Sequence, residues 1–225
     1  MQQPIISIIT VTYNAAAFIE DTIKSVIKIG RKEISFIIID GGSTDKTVEI
    51  IEKYRKHITY FVSEPDNGLY DAMNKGWAKA ENNSYVLFLG AGDLIINLPD
   101  VSNLNADVIA GEVQVGNKFL FKPKHDFRLK LGNTLHHQAL LIKKSIHSSA
   151  PFNTKFKTYA DFDFNQRLLK SGAKIVIEPD LKGYAMEGGV STKFNKDESL
   201  AVVEMNYGWF YVMLAKLYYL LRHEI

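Results

Sequence analysis

Apolar residues follow two different spacings along the first half of the chain. Continuous apolar runs at Ile5–Val11, Phe36–Ile39 and Tyr85–Leu89 predict strands that are buried on both faces. Between the first two runs, apolar residues recur at helical spacing over Ala15–Ile29, and Gly30 follows as a helix-ending residue. Further helices are predicted at 46–55 and 71–81, with a short strand at 58–63. This alternation predicts an α/β fold with a mostly parallel sheet and right-handed crossovers.

The pattern is less regular after residue 95. Residues 107–115 and 118–122 predict a hairpin around Gly116-Asn117, and 138–142 a further strand. Residues 162–170 predict a helix that ends at Ser171-Gly172, and 174–177 a strand. We therefore expect one domain over residues 1–200, in two halves at 1–95 and 96–200, followed by a helix over 201–225.

Composition narrows the class of protein. The 27 Lys and Arg residues nearly balance the 25 Asp and Glu residues, and no stretch concentrates the basic ones, so a nucleic-acid partner is not expected. The chain has no cysteine, which excludes disulfides and thiolate chemistry and fits a reducing compartment. Residues 1–4 lack the basic region of a signal peptide, so a cytoplasmic location is expected.

Two aspartates follow buried strands. Asp40 precedes Gly41 and Gly42, and Asp93 follows Gly90–Gly92. In open α/β sheets the ligand crevice lies beyond the carboxyl ends of the strands, and paired glycines let a nucleotide approach the backbone. A lone carboxylate on an open loop suits Mg²⁺ or Mn²⁺ bound to substrate phosphates. Each aspartate also has a simpler interpretation, as a helix cap at Asp40 and a turn residue at Asp93.

Four segments, in this order, resemble the family 2 glycosyltransferases of the GT-A fold. They are Thr10–Asn14, Asp40–Asp45, Ser63–Gly76 and Phe88–Asp93. The likeness is strong over residues 5–95 and looser over 133–195, and it is closest to small bacterial enzymes that build surface polysaccharides, such as the colanic acid type. It implies a Rossmann-like, mostly parallel sheet flanked by helices. Residues 1–95 would bind the nucleotide sugar, and 96–200 would form a less regular acceptor half.

The resemblance implies an inverting, metal-dependent transfer of a sugar from a nucleoside diphosphate sugar, with UDP expected, to a hydroxyl of a glycan or lipid-linked acceptor. Asp40 would bind the base, Tyr13 would lie beside the nucleoside, and Asp93 would hold Mg²⁺ or Mn²⁺. Most relatives have an acidic pair or Asp-x-Asp where this chain has glycines before one aspartate. The implied donor-site residues are Thr12, Tyr13, Asn14, Asp40, Gly41, Gly42, Asp66, Gly68, Asn74, Lys75, Ala91, Gly92 and His137.

Asp161, at the start of a predicted helix, matches the catalytic base of this family. A carboxylate there would take the proton of the acceptor hydroxyl as the hydroxyl attacks the anomeric carbon. Without the resemblance, a helix N-terminal charge is the simpler interpretation. His136–Gln138 resembles an element near the diphosphate or the acceptor, and Gly188–Thr192 resembles a loop that closes over the donor.

The segment Met205–Leu221 is almost wholly apolar and aromatic, with Lys216 inside it. It is short for a membrane span and suits the headgroup region, which would place the enzyme at the inner face of the cell membrane. Packing against the domain, or against a second copy in a homodimer, is the alternative.

Two other functions stay open at this point. A sugar nucleotidyltransferase would need a glycine-rich, basic phosphate loop after the first strand, where this chain has Val11–Ala15 instead. A non-catalytic nucleotide- or sugar-binding module would not need Asp93 or Asp161.

Overall fold

A computed structural model of the protein describes residues 5–101, 103–147, 149–188 and 194–221. Within these residues one nine-stranded sheet has helices on both faces. The strands are β1 (Ile5–Thr12), β2 (Ile34–Asp40), β3 (Tyr60–Ser63), β4 (Ser84–Gly90), β5 (Leu94–Asn97), β6 (Val108–Val115), β7 (Phe119–Phe121), β8 (Leu140–Lys143) and β9 (Ile175–Ala185). The helices are α1 (Ile19–Ile29), α2 (Thr47–Lys53), α3 (Leu69–Lys79), α4 (Ala160–Lys170), α5 (Lys196–Tyr207) and α6 (Trp209–Leu221).

The first half of the sheet confirms the predicted α/β pattern. Strands β3, β2, β1 and β4 lie side by side in that order and are parallel. Ile8 of β1 packs in the core that α1 and α2 cover, whereas Ile9 packs in the core that α3 covers. Both residues have no exposed surface, as continuous apolar runs predict.

The order of the strands fixes where a ligand can bind. From β1 the chain moves outward to β2 and β3, and then returns to β4 on the other side of β1. Such a reversal is a topological switch point, and the crevice lies outside the carboxyl ends of the strands that flank it. Here those ends are Thr12 on β1 and Gly90 on β4.

The second half differs from the sequence prediction in two strands. The hairpin of β6 and β7 is confirmed, but β5 was not predicted, and β9 continues to Ala185, well beyond the predicted strand at 174–177. The cause is pairing on both sides: Tyr184 of β9 lies opposite Gln114 of β6 and Leu94 of β5. Because both backbone edges find partners, the strand extends beyond its short apolar run.

The C-terminal segment forms two helices where the sequence analysis expects one over 201–225. Gly208, with a φ of 82°, separates α5 from α6, because a left-handed residue cannot continue a helix. Val203, Ala215 and Tyr219 belong to the same buried cluster as the sheet residues, so packing continues without a break past residue 200. Residues 222–225 of the predicted helix lie outside the described residues, and none of the described helices is long and apolar enough to cross a membrane.

An aromatic cluster fixes α4 against the sheet. Trp77 of α3 stacks on Phe88 of β4 with ring centres 6.3 Å apart, and its edge meets Phe164 of α4 at 6.1 Å. Phe152 fills the space between Phe88 and Phe164. The start of α4 is thereby held beside the carboxyl end of β4.

Candidate active site

A cavity of about 600 Å³ opens at the predicted end of the sheet. Its volume is within the range of small-molecule sites. It lies between the ends of β1, β4 and β9, the starts of α3 and α4, and the loop before β8. Six of the residues that the sequence analysis selects line it: Thr12, Tyr13, Ala91, Asp93, His137 and Asp161.

Asp161 lies in the first turn of α4 with its carboxylate at the cavity wall. Tyr70 donates its hydroxyl to Oδ1 over 3.2 Å, and Asn133 donates Nδ2 to Oδ2 over 3.0 Å. His137 approaches the same Oδ2 with Nδ1 at 3.6 Å. Burial alone would raise the pKa of Asp161, but the contact with His137 and its charge outweigh burial and lower the pKa. The carboxylate is therefore charged at neutral pH, as a proton acceptor must be.

The segment just before α4 is held in place by α5. Glu198 of α5 accepts hydrogen bonds from the amides of Thr158 and Tyr159, at 2.7 and 3.1 Å. Tyr70 shares its hydroxyl hydrogen between Asp161 and the Thr158 carbonyl, which is the nearer acceptor at 2.7 Å. These bonds fix the chain just before Asp161. Their partners come from distant parts of the sequence, so spacing alone does not predict them.

Asp93 has a different environment, because its carboxylate serves the fold. Oδ1 accepts the amide of Met186 at 2.9 Å, and Oδ2 accepts the amide of Gly90 at 2.9 Å and Nε2 of Gln138 at 2.8 Å. The residue is only 7 % exposed. These bonds join the end of β4 to the segments beside β8 and β9.

A histidine completes this hydrogen-bonded chain. Since a carboxylate can only accept, Gln138 turns its NH₂ group to Asp93 and its Oε1 to His136, whose Nδ1 must then donate. Burial, and then the neighbouring His137, lower the pKa of His136 to about 4. His136 is therefore neutral at pH 7, which suits its role as a structural donor.

A divalent cation does not fit the predicted position at Asp93. Three N–H donors already occupy the carboxylate, and Gly90, Ala91 and Gly92 before it supply no further acid. In the part of the chain that the structure describes, no group of three or more His, Cys, Asp or Glu side chains could hold a metal ion. The structure thus uses Asp93 as a fold-stabilising residue rather than as the predicted ligand of Mg²⁺ or Mn²⁺.

Asp40 is also committed to its own loop. It has no exposed surface, and its carboxylate accepts the amide of Gly42 at 3.1 Å, the amide and hydroxyl of Ser43, and the hydroxyl of Ser63 at 2.6 Å. In this arrangement Asp40 presents no atom to a nucleoside. Its contact with the base stays a prediction.

Tyr13, Gly41 and Asp66 lie together at the outer edge of the cavity. A Cβ atom on Gly41 would lie 2.5 Å from Oδ2 of Asp66 and 3.5 Å from Cδ2 of Tyr13, so glycine permits this close approach. The Tyr13 side chain is 62 % exposed and offers an aromatic surface. The structure thus offers an exposed aromatic ring beside Gly41 and Asp66, on which a planar base could stack.

The other predicted donor-site residues hold loops and do not line the cavity. Asn14 accepts the amide of Thr44 through Oδ1 at 2.8 Å, and Asn74 forms two hydrogen bonds with the backbone of Phe152. The side chains of Asn14 and Asn74 therefore hold the backbone of neighbouring loops.

Three more predicted residues shape the same loops. Lys75 pairs with Glu64 at 2.9 Å and donates to the Pro65 carbonyl at 3.0 Å. Gly42 and Gly68 adopt positive φ angles in turns, and the amide of Gly92 donates to Thr22. Of the predicted closing loop, Gly188 lines the cavity, and residues 189–193 lie outside the described residues.

Several residues that contact Asp161 and Asp93 were not predicted from sequence. Tyr70 and Asn133 are separated from Asp161 by 91 and 28 positions. Met186 contacts Asp93 through its backbone amide, which no side-chain pattern reveals. The motif at 136–138 is the signal that could have led to Gln138.

Residues 7–97 match the family model described as glycosyl transferase family 2. A PGL/p-HBAD biosynthesis glycosyltransferase of Mycobacterium bovis is 27 % identical over 222 residues, which cover 92 % of this chain and 86 % of that protein. TuaG of Bacillus subtilis, whose name associates it with teichuronic acid biosynthesis as a glycosyltransferase, is 38 % identical over 96 residues, 40 % of this chain and 37 % of TuaG.

Solved structures share the fold. S. aureus TarS 1–349 in complex with UDP matches with a TM-score of 0.70 at 20 % identity, over 90 % of this chain and 65 % of that chain. The mannosyltransferase PcManGT from Pyrobaculum calidifontis, in complex with GDP-Man and Mn²⁺, matches with a TM-score of 0.66 at 16 % identity, over 89 % and 62 %. This chain thus spans less than two thirds of both proteins. The likeness confirms the predicted GT-A fold.

Proposed function

We propose that this glycosyltransferase, whose residues 7–97 match the family model described as glycosyl transferase family 2, transfers a sugar from a UDP-sugar to a hydroxyl group with inversion at the anomeric carbon. The observation that carries the proposal is the Asp161 carboxylate, which lines the cavity at the switch point and has a lowered pKa. It is the group positioned to accept a proton there.

The proposed reaction proceeds in one displacement. The acceptor hydroxyl attacks the anomeric carbon from the face opposite the diphosphate, and Asp161 takes the hydroxyl proton. The new carbon–oxygen bond forms as the bond to the diphosphate breaks, and the nucleoside diphosphate leaves with the electron pair. Tyr70 and Asn133 hold the two carboxylate oxygens, so the base has one orientation at the cavity wall.

The nucleotide sugar would extend from the exposed ring of Tyr13 into the cavity. We place the nucleoside at Tyr13 and Asp66 and the sugar nearer to Asp161, at the other side of the same opening. Support for uridine comes from TarS, which has been solved with UDP and with UDP-GlcNAc. PcManGT, solved with GDP-Man, makes guanosine the competing base.

The acceptor would be lipid-linked, because α6 presents an apolar face outward. The exposed arc of this helix carries large apolar side chains, and Lys216 stands at its margin. The opposite face packs on the domain through Tyr219, which donates to the Leu131 carbonyl close to Asn133 of the site. The exposed apolar residues are Trp209, Phe210, Met213, Leu217, Leu220 and Leu221.

A membrane surface is the occupant that this face fits best. Its 13 residues measure about 20 Å along the axis. This length lets the helix lie in the headgroup layer of a membrane but is too short to cross the bilayer. No acidic residue belongs to α6, and the ammonium of Lys130 lies over the rings of Phe127 and Tyr211 beside it. An apolar face with cations at its margin matches an anionic lipid surface.

Asp161→Asn tests the role of the base. We expect kcat to fall by about 10²- to 10⁴-fold while UDP binding is kept, because an amide cannot accept the proton. Asp163→Asn is the matched control: its carboxylate is in the same helix turn but pairs with Arg167 and Asn206, away from the cavity. The control should lose stability and keep turnover.

The assay is release of UDP from a panel of UDP- and GDP-sugars with a lipid-linked acceptor. Wild-type turnover by Asp161→Asn would refute the catalytic role and favour a binding module. Release of pyrophosphate from a nucleoside triphosphate and a sugar phosphate would instead favour a nucleotidyltransferase.

A further inference from the structure

The surroundings of Asp93 point to a donor site that works without a divalent cation. We propose that Asp93 joins three strands of the fold and that Lys118 supplies the positive charge facing the donor diphosphate. This inference rests on the proposed function, since it concerns how the same UDP-sugar is held. It reverses what the motif Gly90–Asp93 implies from sequence.

The carboxylate oxygens of Asp93 are already occupied by hydrogen-bond donors. Oδ1 and Oδ2 of Asp93 receive three N–H donors at 2.8 to 2.9 Å, two of them backbone amides that cannot turn away without breaking the ends of β4 and β9. A cation at Asp93 would have to compete with these donors for the oxygen lone pairs, and it would stand within reach of their N–H groups. Cation binding would therefore cost hydrogen bonds that hold the sheet together.

The space around Asp93 is closely filled at Gly90 and Gly92. A Cβ atom on Gly92 would lie 2.5 Å from the sulfur of Met186, and one on Gly90 would lie 3.0 Å from Oδ2 of Asp93 itself. Gly92 also has a φ of 98°, which other residues rarely adopt. A side chain at Gly90 or Gly92 would thus meet Asp93 itself or Met186, and neither position supplies a second acid beside Asp93.

The cavity itself provides a positive charge, on Lys118. Lys118, in the turn between β6 and β7, lines the cavity together with Glu187, and their charged atoms are 3.1 Å apart. Both side chains are partly exposed. Among the described lining residues, Lys118 is the one that carries a permanent positive charge. A diphosphate entering the cavity would offer Lys118 a stronger anionic partner than Glu187.

Calorimetric titration of the full chain with UDP tests the inference directly. In EDTA and in Mn²⁺ or Mg²⁺, we expect dissociation constants that agree within about twofold, and release of UDP from the donor sugar that agrees equally well. Binding that requires Mn²⁺ would overturn the inference and leave the proposed function intact. Absence of UDP or GDP binding in every condition would overturn the proposed function, and this inference with it.

Two variants separate the roles of the charges. Lys118→Gln should weaken UDP binding in EDTA by about tenfold, the scale of one charge-assisted contact. Lys122→Gln is the control, because Lys122 pairs with Glu112 outside the cavity lining and should leave the affinity unchanged. Equal affinity in Lys118→Gln and wild type would overturn the assignment of Lys118.

Asp93→Asn completes the test. An amide must turn an N–H group toward at least one of the three donors, so we expect a lower Tm and no rescue by added Mn²⁺. An Asp93→Asn protein with the wild-type Tm and a raised requirement for Mn²⁺ would show that Asp93 is a cation ligand.

Discussion

Replacing Tyr70 by Phe removes one of the hydrogen-bond donors that hold the base and leaves the ring in place. The hydroxyl is buried, and its one hydrogen is shared between the Thr158 carbonyl at 2.7 Å and Oδ1 of Asp161 at 3.2 Å. Burial, and then the charge of Asp161, raise the pKa of Tyr70 well above its usual value, so it stays a donor throughout an assay range of pH 4 to 9.

The size of the effect follows from the bond length. A full hydrogen bond to a charged group contributes about 1.5–3 kcal/mol, and this contact is long and shares its hydrogen with Thr158, so about 1.5 kcal/mol is its upper limit. The donor favours the charged carboxylate, so its loss should raise the pKa of Asp161, and the base becomes protonated at higher pH. Because one pH unit corresponds to about 1.36 kcal/mol, the acid limb of the kcat/KM profile should move to higher pH by no more than about one unit.

Tyr85→Phe is the matched control. Tyr85 is equally buried, and it donates to the Ala106 carbonyl over 2.6 Å, far from Asp161. Both variants should lose about 1–2 kcal/mol in the free energy of unfolding, measured with urea, because each leaves a buried carbonyl unpaired. Only Tyr70→Phe should move the acid limb. An unmoved limb in Tyr70→Phe, or an equal movement in Tyr85→Phe, would refute the reasoning.

Three further predictions concern other parts of the chain. His137→Gln removes the imidazole whose contact lowers the pKa of Asp161, so the acid limb of kcat/KM should again move to higher pH; an unchanged limb would contradict this. Asn74→Ala should lower the free energy of unfolding in urea by about 2 kcal/mol, through two lost backbone contacts, and leave the donor KM unchanged. Phe210→Ser with Leu217→Ser should reduce co-sedimentation with anionic vesicles by about tenfold or more, whereas Ile96→Ser, equally exposed outside α6, should not. A concentration-dependent dimer in gel filtration without lipid would favour a second copy instead.

The parallel half of the fold could be predicted from sequence because its signals are local. Runs such as Phe36–Ile39 are buried on both faces, and helical spacing between them leaves one arrangement of strands and helices. Strand β5 was missed because four residues carry too short a pattern, and it exists only because β9 pairs with it. Pairing between distant segments leaves no periodic signal in either of them.

For the candidate site, too, local sequence signals predicted positions, whereas contacts between distant segments decided the environment of each side chain. The sequence located Asp161 correctly at the first turn of a helix, and the structure brings it into one cavity with Thr12 and Tyr13. Asp40 and Asp93 were chosen for the same reason, their position after buried strands, yet both are consumed by hydrogen bonds within the fold. A strand-end position indicates where a carboxylate lies, whereas the donors around it decide what remains free to bind a ligand.

The contact of Glu198 with the amides of Thr158 and Tyr159 bears on how this enzyme could be divided or recombined. The stretch at 7–97 that matches the family carries the proposed nucleoside contacts, whereas the proposed base, Asp161, lies on α4, and the segment before it is held from α5. Under the proposed function, grafting that stretch onto another scaffold would transfer the donor contacts and leave the proton acceptor behind. A chimera of working enzymes should therefore be joined after α6, so that each base travels with the helix that anchors it.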